Sequence, residues 1–355
     1  MMRRKKLLSL TVPLVAGMML VSAPLLVGAA DVSGNLPPTI ELDNPDTWPK
    51  VGSGGGTPTS IIIDASTCSG KECKHIITGT LPQADRKGLE AFIQVKGGEH
   101  NIILRNTVLE LEDSVDDDVH VRAFALDPDV TVNLALEGNN KLKSAGSHAA
   151  VHVPPTATLN ISSESRAKLE AISNGTNSAG IGGDNIDADC GTITIDVTKD
   201  SEIIAQGGTF AAGIGGGGQG NAGTITINNG IISATGGFGG VGIGSNREDA
   251  LNNKIIISGG DVCAYGGLIN KNKTERNFGI SCGTLDSDEK SVTLTSTGGI
   301  SGNTASFNGI VWGYDNVLDK NKNKYTHAQV YGNAILKESV SQNYQIDIPR
   351  GTTLT

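Results

Sequence analysis

Short segments in which apolar residues alternate with small polar ones recur along the chain from about residue 101. These segments are NIIL at Asn101, TVNL at Thr131, TLNI at Thr158, TITI at Thr192 and Thr224, KIII at Lys254 and SVTL at Ser291. Their first apolar residues lie 27 to 37 residues apart, a spacing that is typical of solenoids and other repeat proteins. Alternation with a period of two predicts that each segment is a β-strand with one buried face.

Two more strand-like segments lie between successive segments of this kind. The second strand is predicted at 108–111, 167–171, 202–205, 231–234 and 261–264. The third includes AFAL at Ala123, AVHV at Ala150, AGIG at Ala179 and Ala212, VGIG at Val241 and FGIS at Phe278. Three short strands per repeat predict one turn of a right-handed parallel β-helix, an all-β solenoid of about six turns with a small C-terminal β extension.

Stacked turns would place the aliphatic residues of one repeat over those of the next. We expect Ile193 and Ile195 to lie over Ile225 and Ile227, and those over Ile255 and Ile257, in one continuous core. Paired glycines at 207, 236 and 266 separate the second strand from the third, and we expect them to form corners that need positive φ.

The two ends of the chain lack this repeat. Basic residues 3–6, an apolar stretch to Val27 and the small residues 28–30 predict a signal peptide at 1–30, with an uncleaved anchor as the alternative. Residues 31–59 are rich in Pro, Gly and Ser and predict a linker. The β-helix is predicted at 60–304, and residues 305–355 as a C-terminal β cap or the start of a further module. We therefore expect a secreted, extracellular protein, with attachment to the cell surface left open. Once the signal is removed, we expect no membrane span.

Composition narrows the class of protein. The chain has 355 residues, of which 48 are glycine and only 13 are aromatic, and its formal net charge is −9. Glycine is costly inside helices, so this composition argues against a helical domain. A negative chain without a basic stripe is a poor partner for nucleic acid.

Five cysteines leave the disulfide pattern partly open. Cys68 and Cys73 lie in a turn-like stretch and are predicted to form a disulfide, with two free thiols as the alternative. Cys263 and Cys282 could meet if the chain coils back on itself, and Cys190 has no evident partner.

The repeated pattern AGIGG followed by GTITI, at 179–195 and 212–227, resembles the glycine-rich repeats of bacterial secreted right-handed parallel β-helix proteins. Many of these are described as carbohydrate-binding-domain proteins, and their fold is similar to that of pectate lyases. The resemblance covers roughly residues 60–300. It implies an exported polysaccharide-binding or adhesive protein that lacks the lyase catalytic set and can bind calcium.

Acidic residues cluster in the turns that connect the third strand to the next first strand. They are Asp184, Asp187 and Asp189, then Glu248 and Asp249, then Asp286 and Asp288. Clustered carboxylates suit Ca²⁺, which prefers six to eight oxygen ligands, whereas the simpler interpretation is a solvated acidic rim. Arg247 beside Glu248 and Asp249 is the one pairing here that would suit a calcium-dependent polysaccharide lyase, although an ion pair is the more common reason for such an arrangement.

Four aromatic residues follow the second strand of successive repeats and predict a strip that could stack on sugar rings. They are Phe210, Phe238, Tyr265 and Phe278, and the alternative is that they cover corners of the core. Outward threonines at 192, 194, 224 and 226 also leave open a flat array that binds ice or another crystal surface.

The sequence therefore predicts a non-catalytic protein that binds a polysaccharide or cell-surface glycan, with Ca²⁺ as an optional cofactor. A structural or adhesive surface spacer (an adhesin) is the competing class, and a lyase is the third.

Overall fold

The computed structural model describes the central part of the chain and a series of short strands near its C-terminus. The described residues are 38–49, 60–67, 73–81, 91–111, 121–185, 188–247, 253–269, 277–282, 291–294, 299–302, 309–312, 327–331, 333–334, 345–348, 350 and 353–354. The predicted signal peptide lies outside them.

The described residues form 27 strands and two 3₁₀ helices (Pro45–Thr47 and Ala65–Thr67). The strands up to the eleventh are β1 (Thr39–Glu41), β2 (Ile61–Asp64), β3 (Cys73–Leu81), β4 (Ala91–Lys96), β5 (Glu99–Glu110), β6 (Arg122–Leu126), β7 (Thr131–Lys143), β8 (Val151–His152), β9 (Thr158–Ser162), β10 (Ala167–Ile172) and β11 (Ile181–Gly182). The next nine are β12 (Thr192–Asp196), β13 (Glu202–Gln206), β14 (Ile214–Gly215), β15 (Thr224–Asn229), β16 (Ile231–Thr235), β17 (Ile243–Ser245), β18 (Lys254–Ile257), β19 (Asp261–Tyr265) and β20 (Ile280–Cys282). The last seven are β21 (Ser291–Leu294), β22 (Gly299–Gly302), β23 (Gly309–Trp312), β24 (His327–Tyr331), β25 (Asn333–Ala334), β26 (Gln345–Asp347) and β27 (Thr353–Leu354). Within the described segments, no helix is long and apolar enough to cross a membrane.

The strands stack as a parallel β-solenoid of about six turns, which confirms the predicted fold class. First and second strands of the turns belong to one 17-stranded sheet, and third strands form an eight-stranded sheet. First strands pair in the order β5, β7, β9, β12, β15, β18 and β21, and second strands pair from β7 through β10, β13, β16, β19 and β22. Each strand therefore pairs with the equivalent strand of the next turn.

The predicted aliphatic column lies inside the solenoid. Ile193 pairs with Ile225 and Ile225 with Ile255, and all three side chains are fully buried. Neighbouring strands in a sheet lie about 4.8 Å apart, so these side chains are in van der Waals contact from turn to turn. Most buried apolar residues of the described segments belong to the same core cluster.

The first turns join two predicted strands into one. β5 and β7 each run through both the first and second strand positions. They change direction at a register shift beside Asn106 (φ 50°) and at Gly138 (φ 67°) rather than by ending. A bulge that bends a strand without ending its pairing explains why two segments became one strand.

The paired glycines before the third strands do not have the positive φ that we predicted. They are needed because backbones approach closely at this corner. A Cβ on Gly237 would lie 1.9 Å from the carbonyl oxygen of Gly208, and one on Gly267 would lie 1.5 Å from that of Gly237. Only glycine allows successive turns to stack at this distance.

Part of the segment predicted as a linker packs on the first turn. β1 pairs in parallel with β3, and Ile40 and Leu42 are fully buried. Trp48 packs edge-to-face on Phe92, with ring centroids 5.3 Å apart. Residues 38–49 are therefore part of the solenoid, and the rest of 31–59 lies outside the described residues.

Parallel stacking changes near the C-terminal end. β23 pairs antiparallel with β24, which in turn pairs with β26, and β25 pairs with β27. These strands fall in the predicted extension at 305–355.

Candidate functional site

Exposed apolar residues gather at one corner of the solenoid. We define the aromatic corner as five residues that follow or end the second strands of three consecutive turns: Phe210, Phe238, Tyr265, Ile269 and Phe278. Each is 40–47% exposed. Among the described residues, only Ile231 and Ile348 are other large apolar side chains with comparable exposure. The corner includes all four aromatic residues that we predicted as a sugar-binding strip.

Phe210 occupies a backbone position that rarely accepts an aromatic residue. Its φ is 65°, in the left-handed region. Asn177 in the preceding turn (φ 63°) and Gly239 in the following turn (φ 75°) occupy equivalent positions, because each donates its N–H to the next turn at the same place in the corner. Asn and Gly are the residues that adopt this conformation most readily, so the backbone does not require phenylalanine here.

The ring of Phe210 lies against the following turn. It contacts Phe238 edge-to-face, with ring centroids 6.1 Å apart and an interplanar angle of 75°. A Cβ on Gly239 would lie 2.7 Å from Cδ1 of Phe210, so the ring rests over a glycine that has no side chain to displace it. Such edge-to-face pairs hold two rings in a defined relative position.

Two asparagine side chains fix the backbone of this corner. Asn246 Nδ2 donates to the carbonyl oxygens of Phe210 (3.0 Å) and Gly239 (3.3 Å), and Asn277 Nδ2 donates to that of Gly239 (2.7 Å). Asn246 follows β17 and precedes Arg247, whose N–H donates to Ser245 Oγ at 3.0 Å. Residues 245–247 are therefore tied to the aromatic corner.

Of the predicted calcium ligands, Asp184 and Asp189 lie in the described segments. Asp187, Glu248, Asp249, Asp286 and Asp288 lie outside them. Asp189 accepts hydrogen bonds from the N–H (2.7 Å) and Nδ2 (3.0 Å) of Asn221 in the next turn. Within the part of the chain that the structure describes, no group of three or more His, Cys, Asp or Glu side chains is arranged to hold a metal ion.

Asp184 is buried within a cluster of charged and polar groups. Its Oδ2 accepts from Arg122 Nε and from His148 Nδ1 (2.8 Å), and its Oδ1 accepts from the N–H of Ala149 (3.0 Å). Burial by itself would raise the pKa of Asp184, but the hydrogen bond from His148 and the charge of Arg122 outweigh it and hold this pKa well below its usual range. The carboxylate is thus charged and joins three turns of the solenoid.

His152 lies beside this cluster on β8. Burial lowers its pKa to about 4, and its Nδ1 has no hydrogen-bond partner. The imidazole is therefore neutral at pH 7. Asp184 holds the imidazole ring of His148 by a hydrogen bond, and it also accepts from Arg122 and from the N–H of Ala149. These contacts explain the buried pair as part of the structure of the solenoid.

The outward threonines form only a small array. Thr192 pairs with Thr224 and Thr194 with Thr226, whereas Lys254 and Ile256 occupy these positions in the next turn.

The structure gives the state of three cysteines. Cys73 is disulfide-bonded, and its predicted partner, Cys68, lies outside the described residues. Cys263 is a free thiol, so the bond to Cys282 is not formed. Cys190 is also free, and burial raises its pKa to about 12.

Sequence reasoning missed three residues of this site. Ile269 follows Tyr265 in a loop without a repeat, so its place in the corner had no periodic signal. Asn246 and Asn277 donate hydrogen bonds to backbone carbonyls of a neighbouring turn. This role could be predicted only from knowing which residues of successive turns lie side by side.

Comparison of the chain with protein-family models, curated proteins and solved structures found no match.

Proposed function

We propose that this chain binds a polysaccharide or cell-surface glycan through the aromatic corner and does not cleave it. Aromatic rings present flat apolar faces on which the C–H faces of sugar rings can stack. Exposed apolar patches of this kind mark binding surfaces in otherwise polar proteins. The glycine-rich repeats, which resemble those of bacterial carbohydrate-binding β-helix proteins, support the same proposal.

Phe210 is the observation that carries this proposal. A non-glycine residue in the left-handed region costs about 1–2 kcal/mol, and Phe210 stays 45% exposed despite the contacts of its ring with Phe238 and Gly239. The backbone does not require phenylalanine at this position, and the ring lies outside the core cluster. A ligand that stacks on the exposed part of the ring would account for this residue.

Replacing Phe210 by the residue of the equivalent corner tests the proposal. We expect Phe210→Asn to change the free energy of unfolding by no more than about 1 kcal/mol, because the better fit of asparagine to positive φ offsets the lost contact of the ring with Phe238. The same change should weaken glycan binding about tenfold or more, as the loss of a central aromatic contact does in other interfaces. Binding is measured on a glycan array and by retention on insoluble polysaccharides.

The matched control is Ile231→Ala, which removes an apolar side chain of similar exposure from a different face. Wild-type chain that retains no glycan would contradict the proposal, as would a Phe210→Asn variant that binds as well as the control. The first outcome would favour the structural or adhesive spacer.

Calcium assistance and secretion remain part of this proposal. Repeating the retention assay with Ca²⁺ and with a chelator tests whether the acidic turns contribute to binding through calcium. Release of unsaturated products from acidic glycans would instead indicate a lyase. Residues 1–30 support export, which cleavage at about residue 30 in the mature protein would test.

A further inference from the structure

A row of polar side chains runs beside the aromatic corner along the solenoid axis. Gln206 ends β13, Thr235 ends β16 and Tyr265 ends β19; in the parallel sheet Gln206 pairs with Thr235, and Thr235 with Tyr265. We call these three residues the polar row. All three lie on the outward face, because the alanine before each is buried. Successive members are therefore on strands about 4.8 Å apart along the axis.

The aromatic corner repeats over the same three turns. Phe210, Phe238 and Ile269 each follow a member of the polar row by three or four residues. Each turn thus presents an exposed apolar side chain next to a polar position. A sugar unit has the same two kinds of surface, with C–H groups on its faces and hydroxyl groups at its edges. One turn therefore offers contacts for about one sugar unit, and successive turns suit a glycan chain that runs along the axis.

The straight stacking of these turns favours one class of glycan linkage. β13, β16 and β19 pair without a register shift, so equivalent residues form straight columns. In β-1,4-linked glucan, mannan and chitin, both bonds that join a sugar to its neighbours are equatorial. Such a glycan chain is extended, and each sugar advances it by a length close to the spacing between strands. An α-1,4-linked glucan curls into a helix and leaves a straight column.

The angle between two rings distinguishes a single glycan chain from a crystalline surface. The planes of Phe210 and Phe238 meet at 75°, and the ring centroids are 6.1 Å apart. Two rings inclined in this way cannot both lie flat against one planar surface, such as a face of crystalline cellulose or chitin. A free β-1,4-linked chain twists about its own axis, so its successive sugars present differently inclined faces. The two rings therefore match a free glycan chain.

We propose that the aromatic corner and the polar row bind one extended, uncharged β-1,4-linked glycan chain that runs along the solenoid axis across three turns. This ligand class rests on the proposed function and specifies it. The apolar side chains contact C–H faces of the sugars, and the amide and hydroxyl groups of the polar row donate to and accept from hydroxyls at one edge. Neither set contains a charged residue, which matches an uncharged glycan.

Soluble oligosaccharides test the length and linkage of the ligand. The full chain is titrated in a calorimeter with cello-, manno- and chito-oligosaccharides of two to six units, and with malto-oligosaccharides as the α-linked comparison. We expect one or more β-1,4-linked series to bind, with a Kd about tenfold lower for four units than for two, because two units reach only two of the three turns. The malto-oligosaccharides should bind at least about tenfold more weakly than the best β-1,4-linked series.

The physical form of the polysaccharide tests the angle between the rings. Cellulose, mannan or chitin, whichever corresponds to the series that binds, is offered to the full chain in crystalline and in swollen form. We expect retention on the swollen form, release by the soluble oligosaccharide, and little retention on the crystalline form.

Matched threonine variants test the polar row. Thr235→Val removes one hydroxyl from the row and should weaken binding of the four-unit oligosaccharide about fivefold, as the loss of one hydrogen bond does. Thr226→Val removes a partly buried, outward hydroxyl from β15, in the first-strand position of a turn, and should bind like wild type. Equal affinities of the two variants would overturn the proposal.

Results on the wild-type chain are decisive without any variant. Retention on crystalline forms without binding of soluble oligosaccharides would overturn the proposal, as would affinity that does not rise from two to four units. Equal binding of malto-oligosaccharides, or no binding of any β-1,4-linked series, would also overturn it. Binding of other glycans that depends on Phe210 would then leave the proposed function standing, whereas no glycan binding at all would contradict both.

Discussion

Buried titratable residues determine how this solenoid responds to pH. Asp184 is charged and fully satisfied, whereas His152 is neutral with an unpartnered nitrogen. The pKa of each is lower in the folded chain than in the unfolded one, but the two changes act in different pH ranges. Asp184 contributes stability that is lost only when the pH falls below its ordinary pKa of 3.8.

We predict that stability falls between pH 6.5 and about 4 because of His152. In this range the unfolded chain binds a proton at the ordinary pKa of 6.5, whereas folded His152 does not until the pH reaches about 4. At about 1.4 kcal/mol per pKa unit, the loss is about 3 kcal/mol. Denaturant unfolding of wild type and His152→Gln from pH 7 to pH 4 measures it. The variant should lose less stability, retaining the smaller loss from His75, whose pKa burial also lowers, and parallel profiles would contradict the prediction.

The sequence predicted the position of single residues best where that position follows from the repeat itself. The four aromatic residues were placed at one corner because each follows a predicted second strand. The role of Asp184 could not be predicted, because its partners Arg122 and His148 lie 62 and 36 residues earlier and reach it only after the turns stack.

At the scale of the element, the corner between second and third strands sets how closely turns approach. Glycines at 208, 237 and 267 bring backbone against backbone there. The strands themselves followed from period-two alternation. The left-handed conformation at Phe210 did not, because nothing in a phenylalanine indicates positive φ.

We predict that Gly237→Ala lowers the free energy of unfolding by about 3 kcal/mol or more, because the added methyl would overlap a carbonyl oxygen of the preceding turn. Gly97→Ala is the control. Gly97 has positive φ (63°) but nothing within 4 Å of an added Cβ, so its cost is about 1 kcal/mol. Urea denaturation of both variants measures the difference, and equal losses would show that close approach is not the cause.

At the scale of the whole molecule, stability depends on contact between neighbouring turns. Among the described turns none has a core of its own, since residues such as Ile225 pack on the turns on both sides. In such proteins stability is approximately a sum of turn and interface contributions.

We predict that Ile225→Ala destabilises the chain by about 2–5 kcal/mol, because it leaves a cavity in the middle of the column. Ile256→Ala, in the next turn but on the outward face, should cost less than about 1 kcal/mol. Thermal and denaturant unfolding would compare the two. Similar losses would mean that the column does not stabilise the solenoid.

The shared backbone of Asn177, Phe210 and Gly239 has one more consequence. Because this corner accepts an asparagine, a phenylalanine or a glycine without a change of fold, the number of turns that carry an exposed aromatic ring does not depend on the fold. Single substitutions at this corner could therefore lengthen or shorten the surface that contacts a linear ligand by one turn at a time. Such substitutions would leave the aliphatic core unchanged.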